Sequence, residues 1–320
     1  MRRWLLRFFT LLGLLAGFVV FQETVEFYLL KTWVNLTQAP SPKANPVGRA
    51  VADVVLREYY DRIEAMALYR NLEACTHPDC FYSVLYDLDP YANLYTPNAV
   101  GTAVSCDLQP TDQQQSSRII YLRLRTFELD ESCLEQIWAV VQQAQAPNSL
   151  VLDLRGNGGG YFEDALALGS FFIPSGTLLA TPYERHLWRY ADAYLNLPLR
   201  ITQSGLVNRQ GEPYPFRDSQ PRKVKPLRIV VLIDQDSASA SEIFANLLAK
   251  YASSEVVVAG ALSMGVGNTI LTTFRAGDFE LDLPTAVLPG FSPYAEPHKT
   301  LEEAGELLGI EGFPAIAAHE

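Results

Sequence analysis

Between residues 50 and 73, Val54, Val55, Tyr59, Ile63, Met66 and Ala67 fall on one helical stripe. That spacing predicts an amphipathic helix whose apolar side packs against a core. From Arg118 the pattern changes to alternating short apolar runs and helical periods. Strands are predicted at Ile119 to Arg125, Ser149 to Leu154, Leu227 to Ile233 and Glu255 to Leu262. Helices are predicted at Asp130 to Gln145, Tyr161 to Phe172 and Ser239 to Tyr251. Strand, turn and helix in repetition predict an α/β fold with buried, mostly parallel strands. The stretch from Tyr183 to Pro226 is proline-rich and carries Arg217, Arg222, Lys223 and Lys225, and no regular element is predicted there. No internal repeat is evident.

The N-terminus has its own pattern. Arg2, Arg3 and Arg7 precede an uncharged, almost wholly apolar run from Phe8 to Phe21. A basic flank before such a run marks an export signal or a membrane anchor, with the arginines on the cytoplasmic side. No small-x-small cleavage triplet follows, which favours a single uncleaved anchor over a removed signal peptide. The expected division is therefore a signal-anchor over 1–34, a linker over 35–50, an N-terminal helical region over 51–117 and a core over 118–320. This places the core in the periplasm or outside the cell, with the membrane as a partner through the anchor.

Composition narrows the function. With 320 residues, 48% apolar and 19% charged, the chain can bury a large core and is neither disordered nor collagen-like. Its net charge is −11, and the only charges before Glu23 are basic, so the rest is more acidic still. An acidic body without a basic face argues against nucleic acid as a partner. Four cysteines in an exported chain suggest two disulfides, Cys75–Cys80 and Cys106–Cys133 by proximity, with buried free thiols as the alternative. Cys75-x4-Cys80 with His77 between them lacks zinc-finger spacing, so no metal is expected.

Two strand-to-helix turns carry the candidate chemistry. The first is Asp153-Leu-Arg-Gly-Asn-Gly-Gly-Gly160. Its glycines permit positive φ and expose amides that can cradle an anion, although such turns often serve only close packing. It matches neither the dinucleotide nor the nucleotide fingerprint, and no cofactor is expected. The second is Ser237-Ala-Ser-Ala-Ser-Glu-Ile243. Ser239 and Glu242 satisfy a capping box, the ordinary reading of a serine at a helix start. A serine at a strand-to-helix turn is also where hydrolases expose a nucleophile.

Together the two turns resemble the tail-specific, or C-terminal-processing, serine protease family, exported endopeptidases with a ClpP/crotonase-like core. The resemblance runs from about Arg118 to Pro314, with the preceding helical stretch similar to the family's N-terminal part. It implies Ser239 as nucleophile, oxyanion amides from Gly159, with Gly160 as a further donor, and from Ala240, and a polypeptide as substrate.

The chain departs from that family at the base. Gly265-Val266-Gly267 has valine where the resemblance implies a lysine, and Ile270 stands where a glutamine follows. The family's second branch uses a histidine after an Asp-Pro pair, where Asp89-Pro90 is followed by Tyr91. About twenty residues separate Tyr95 from Arg118, too few for the family's PDZ insert. Lys250 lies eleven residues beyond Ser239, roughly 16 Å along a helix and out of reach. His186 and His298 remain candidate bases, with Glu296, Glu306 or Glu311 to orient them and Tyr91 as a further polar group. Each has an ordinary surface or core reading, and His77 and His319 are weaker candidates. Two functions follow: an acyl-enzyme endopeptidase acting through Ser239, or a pseudoprotease that binds peptides or chain termini without cutting them.

Overall fold

The computed structural model describes residues 29, 45–59, 65–89, 92–95, 119–177, 183–184, 200–202, 206–207, 213–214, 222–288 and 292–309. The predicted anchor over Phe8 to Phe21, together with Tyr91, Cys106, His186, Glu311 and His319, lies outside these residues. Among the described residues no helix is long and apolar enough to cross a membrane. In chain order, the principal elements begin with α1 (Pro46–Glu58), α2 (Ala65–Ala74), α3 (Pro78–Leu88), β1 (Asn93–Tyr95) and β2 (Ile119–Arg123). Next come α4 (Glu131–Val141), β3 (Ser149–Asp153), α5 (Phe162–Gly169), β4 (Arg228–Ile233) and α6 (Ala240–Tyr251). The last are β5 (Glu255–Gly260), β6 (Thr269–Ala276), β7 (Phe279–Val287) and α7 (Leu301–Leu308). In the stretch left unassigned by periodicity, the described strands are two residues each, such as Tyr183–Glu184 and Pro213–Tyr214.

Two units divide the chain: 1–99 with 184–190 and 271–286, and 100–183 with 191–270 and 287–320. The 271–286 segment, counted with the 118–320 core by sequence, groups with the N-terminal helices: Ala276, Leu281 and Leu283 share a core with Val51, Val55 and Leu72. In this first unit β1 runs antiparallel to β7, with Leu94 opposite Leu281.

One helix was expected over 50–73, and two are found. α1 ends where Tyr59 turns extended (φ −62°, ψ 138°) and gives its hydroxyl to Asp89 at 3.0 Å. The chain then returns, and Asn45 N–H donates to Glu73 O at 3.1 Å while Arg49 pairs with Glu73. A hairpin brings Val51 and Val55 into one core with Leu68 and Leu72, which a single straight helix cannot do. α1 also begins earlier than expected, within the predicted linker. Asn45 Oδ1 accepts from Val47 N–H at 2.9 Å with Pro46 in the first turn, a start signal that periodicity alone passes over.

The second unit is a parallel sheet in the order β2-β3-β4-β5, as the alternating pattern predicts. Every residue of β3 is buried and so is all of β4 beyond Arg228. Alternate side chains serve opposite faces. Leu150 and Leu152 join the core with α4, α5 and α6, whereas Val151, Val230 and Leu232 pack with Ala304 of α7. Asp153 pairs in register with Leu232, so both strands end at the same edge of the sheet. Cys75 and Cys80 form the expected disulfide. Cys133 is also disulfide-bonded.

Gly48 lets α1 and α2 approach closely, because a Cβ there would lie 2.0 Å from the Leu72 carbonyl oxygen. Gly48→Ala is expected to lower stability by about 2 kcal/mol through overpacking, read as a fall in the urea midpoint.

Candidate active site

The parallel pairing of β3 and β4 places the two turns side by side. The first turn leaves β3 at Leu154 and the second leaves β4 at Asp234, at the carboxyl edge where α/β sheets hold their ligands. Side chains lock them together. Gly156 N–H donates to Asp234 Oδ1 at 3.0 Å, and Ser237 Oγ donates to Leu154 O at 2.8 Å.

Asn157 is the centre of this lock and is fully buried. Its Nδ2 donates to Leu124 O at 3.0 Å, and its Oδ1 accepts from Gly159 N–H at 2.9 Å. Its carbonyl accepts both Ala238 N–H at 3.0 Å and Ser241 Oγ at 2.9 Å. One residue thus ties β2, the glycine turn and the serine turn. Sequence reasoning did not single it out; the signal was an amide side chain inside a glycine run, a frequent turn-former.

Ser239 has φ +53° and ψ −116°, the one positive φ outside glycine among the described residues. Such a conformation costs roughly 1–3 kcal/mol and clusters at functional turns. It is also wrong for a cap, which sits in the extended region. Only the return half of the box is a sound hydrogen bond: Ser239 N–H donates to Glu242 Oε2 at 2.8 Å, and the side chain makes no cap bond of good geometry. The side chain is partly exposed.

Gly159 reaches this serine closely. A Cβ on Gly159 would lie 2.8 Å from Ser239 Cβ and 3.2 Å from Ala240 N. Its own amide is occupied by Asn157. The Ala240 and Gly160 amides have no acceptor among the described residues, and Gly160 is exposed. These two amides are therefore the ones left to meet a ligand oxygen.

Asp153 buttresses the glycine turn from below. It is fully buried and receives Arg155 Nε at 2.8 Å, Arg155 N–H at 3.1 Å and the Tyr121 hydroxyl. Burial alone would raise its pKa, but the Arg155 and Tyr121 hydrogen bonds outweigh that and hold the carboxyl below its usual value.

The loop expected to carry a base holds its position but lacks the group. Gly265 N–H donates to Glu242 Oε1 at 2.6 Å and Val266 N–H to Glu242 Oε2 at 2.9 Å. Oε2 also holds Ser239 N–H, so the 239 and 266 nitrogens are no farther apart than those two bonds laid end to end. Position 266 therefore starts beside Ser239, with a buried valine on it. A Cβ on Gly265 would run into the Tyr294 ring at 2.2 Å, and one on Gly267 into Glu242 Cβ at 2.4 Å.

The other candidates are engaged elsewhere. His298 is exposed, and its Nε2 accepts from Val258 N–H at 3.4 Å on the edge of β5. His77 stands at the start of α3 between the disulfide cysteines, and Glu296 and Glu306 are exposed. Burial lowers the Lys223 amine to about 8, but its Nζ donates to Ser170 O at 2.5 Å and Ile173 O at 3.1 Å. Those carbonyls lie past the C-terminal end of α5, whose other end adjoins Gly160, so Lys223 is about 12 Å or more from the glycine turn. No described histidine or lysine hydrogen-bonds the Ser239 hydroxyl.

Two outcomes test this geometry. Gly159→Ala is expected to destabilise by about 3 kcal/mol and distort the serine turn, because strain and a clash coincide there. Gly156→Ala, at φ +70° with open space around it, should cost only about 1 kcal/mol; urea titrations of both variants give the comparison. The second outcome concerns pH. Because the folded pKa of Asp153 lies below its unfolded value near 3.9, its contribution is complete above that pH and is lost as pH falls through the folded value. Asp153→Asn should be less stable at neutral pH and show a smaller stability loss than wild type on acidification through that window, measured by urea midpoints.

The profile of Peptidase family S41 matches residues 118–286, more than half of the chain. Among solved structures, a lipoprotein from Streptococcus agalactiae is similar at 14% identity and a TM-score of 0.56, covering 84% of this chain and 97% of that one. A putative peptidase from Parabacteroides merdae is similar at 15% identity and a TM-score of 0.49, covering 85% and 95%. A putative S41 protease from Bacteroides fragilis is similar at 18% identity and a TM-score of 0.45, covering 70% and 60%. The first of these likenesses is one of fold. The profile match, spanning both turns and the loop that follows them, establishes that the chain belongs to Peptidase family S41.

Proposed function

We propose that the chain is an exported serine endopeptidase acting by acyl transfer through Ser239. The observation that carries this reading is the strained φ of Ser239 beside the unoccupied Ala240 amide at the start of α6. Ser239 Oγ attacks a peptide carbonyl carbon, and the carbonyl oxygen takes the negative charge between the Ala240 and Gly160 amides. The hydroxyl proton ends on the nitrogen of the leaving amine, and no described histidine or lysine hydrogen-bonds the hydroxyl to carry it there. The amine half of the peptide leaves protonated, and water then hydrolyses the Ser239 ester. Leu262, Met264 and Tyr294 are exposed apolar groups on or against the 262–266 loop, suited to peptide side chains. The Cys75–Cys80 disulfide supports an oxidising compartment, in keeping with the export pattern and the anchor run at the N-terminus.

A second reading has its own support. Val266 is buried where the resemblance implies a lysine, and loss of a general base costs orders of magnitude in rate. On that reading the same amides hold a peptide carbonyl without cutting it.

A fluorophosphonate probe on the full chain, with Ser239→Ala and Val266→Lys, separates the two. Wild-type labelling that vanishes in Ser239→Ala supports the peptidase. Labelling that appears only with Val266→Lys supports the binder, since a lysine at 266 starts beside the serine nitrogen. If neither labels, the peptidase reading fails and the binder is favoured.

A further inference from the structure

Glu242 is a fully buried carboxylate that no lysine or arginine pairs with among the described residues. It is held by hydrogen-bond donors instead. Oε2 accepts from Ser239 N–H at 2.8 Å and Val266 N–H at 2.9 Å; Oε1 accepts from Gly265 N–H at 2.6 Å and Ser263 Oγ at 2.5 Å. Ser263 Oγ in turn accepts Ala295 N–H at 2.8 Å. An uncompensated buried charge is costly, so this arrangement persists only because four donors and the N-terminus of α6 converge on it. All four donors belong to backbone or to a short side chain, so the site is rigid. The carboxylate faces three segments at once: the nucleophile turn, the 263–266 loop and, through Ser263, the strand of chain at 293–295.

We infer that Glu242 is a positioning residue: it fixes the Ser239 backbone in its strained conformation by tying it to the 263–266 loop. Its oxygens are taken up by these four donors, none of which is the Ser239 hydroxyl. It acts on the serine through the serine's own amide, and that amide is the atom a relaxed φ would move. The inference rests on Ser239 being the nucleophile, but its structural half stands without activity.

The informative change is Glu242→Gln. An amide keeps the shape but turns one oxygen into a donor, which must then face two N–H groups or an N–H and a hydroxyl. The expected result has two parts. Hydrogen exchange at the amides of 239 and 265–266 should rise about tenfold or more, while the β3 and β4 amides stay protected. The fluorophosphonate rate should fall on the order of a hundredfold, in the inactivation step rather than in probe affinity, as expected of a misplaced nucleophile. Glu242→Asp, which keeps the charge, should restore part of both. Gly267→Ala, whose Cβ would meet Glu242 Cβ, should give the same local exchange signature by another route if Glu242→Gln fails to fold. Unchanged exchange at 265–266, or exchange rising uniformly over the sheet, overturns the inference. If wild type does not label at all, the peptidase reading fails, while the exchange data still decide whether Glu242 couples the two segments.

Discussion

The site depends on a parallel pairing. Asp153 of β3 and Leu232 of β4 are 79 residues apart in sequence, yet they lie side by side, and both strands end together. Parallel strands require a crossover, which here carries α5 and the long 183–226 stretch, so nothing local brings the two turns together. What fixes them is the buried Asn157, whose carbonyl alone receives Ala238 N–H and Ser241 Oγ. Each of these bonds is worth about 1 kcal/mol net, but an unpaired buried amide costs more than a made one contributes. The lock is therefore held as much by the cost of opening it as by its strength.

The parallel core was legible because its strands are short apolar runs and its helices have clear period. The hairpin of α1 and α2 was not, because a stripe of Val54, Val55 and Tyr59 continues smoothly into Ile63 and Met66, and periodicity does not say where a helix folds back. Asn45-Pro46 did mark the start. The assignment of 271–286 to the N-terminal unit is a matter of tertiary packing by Leu281 and Leu283, which no local pattern encodes. At the site, Ser239 and the glycine turn were visible as a pair, whereas Asn157 and Glu242 act through backbone partners that sequence leaves blank. In the sequence Glu242 shows only as half of a capping box. Its larger role arises from the 263–266 loop, which reaches it through main-chain amides and leaves no side-chain signature.

Some features of this site persist without any chemistry. Gly265 is required because the Tyr294 ring lies on it, and Gly267 because Glu242 Cβ and Pro293 O do. A Gly-x-Gly loop is thus what packing alone demands, with or without a lysine between the glycines. The same holds for Gly160, where a Cβ would meet the Phe127 backbone at 2.4 Å. Their presence says that the scaffold is intact and is neutral about whether it cleaves.

Ser239 is different. Packing around it would be satisfied by glycine, which adopts φ +53° without strain, or by an ordinary cap in the extended region. The chain has instead a serine in a conformation that costs it stability, with a hydroxyl that makes no cap bond of good geometry and a neighbouring amide that has no acceptor among the described residues. Stability considerations alone favour another residue there, and that cost is what supports the proposed reading of Ser239 as an oxygen nucleophile or part of a carbonyl-binding surface. The choice between those two rests on the proton acceptor, because the backbone donors serve both equally.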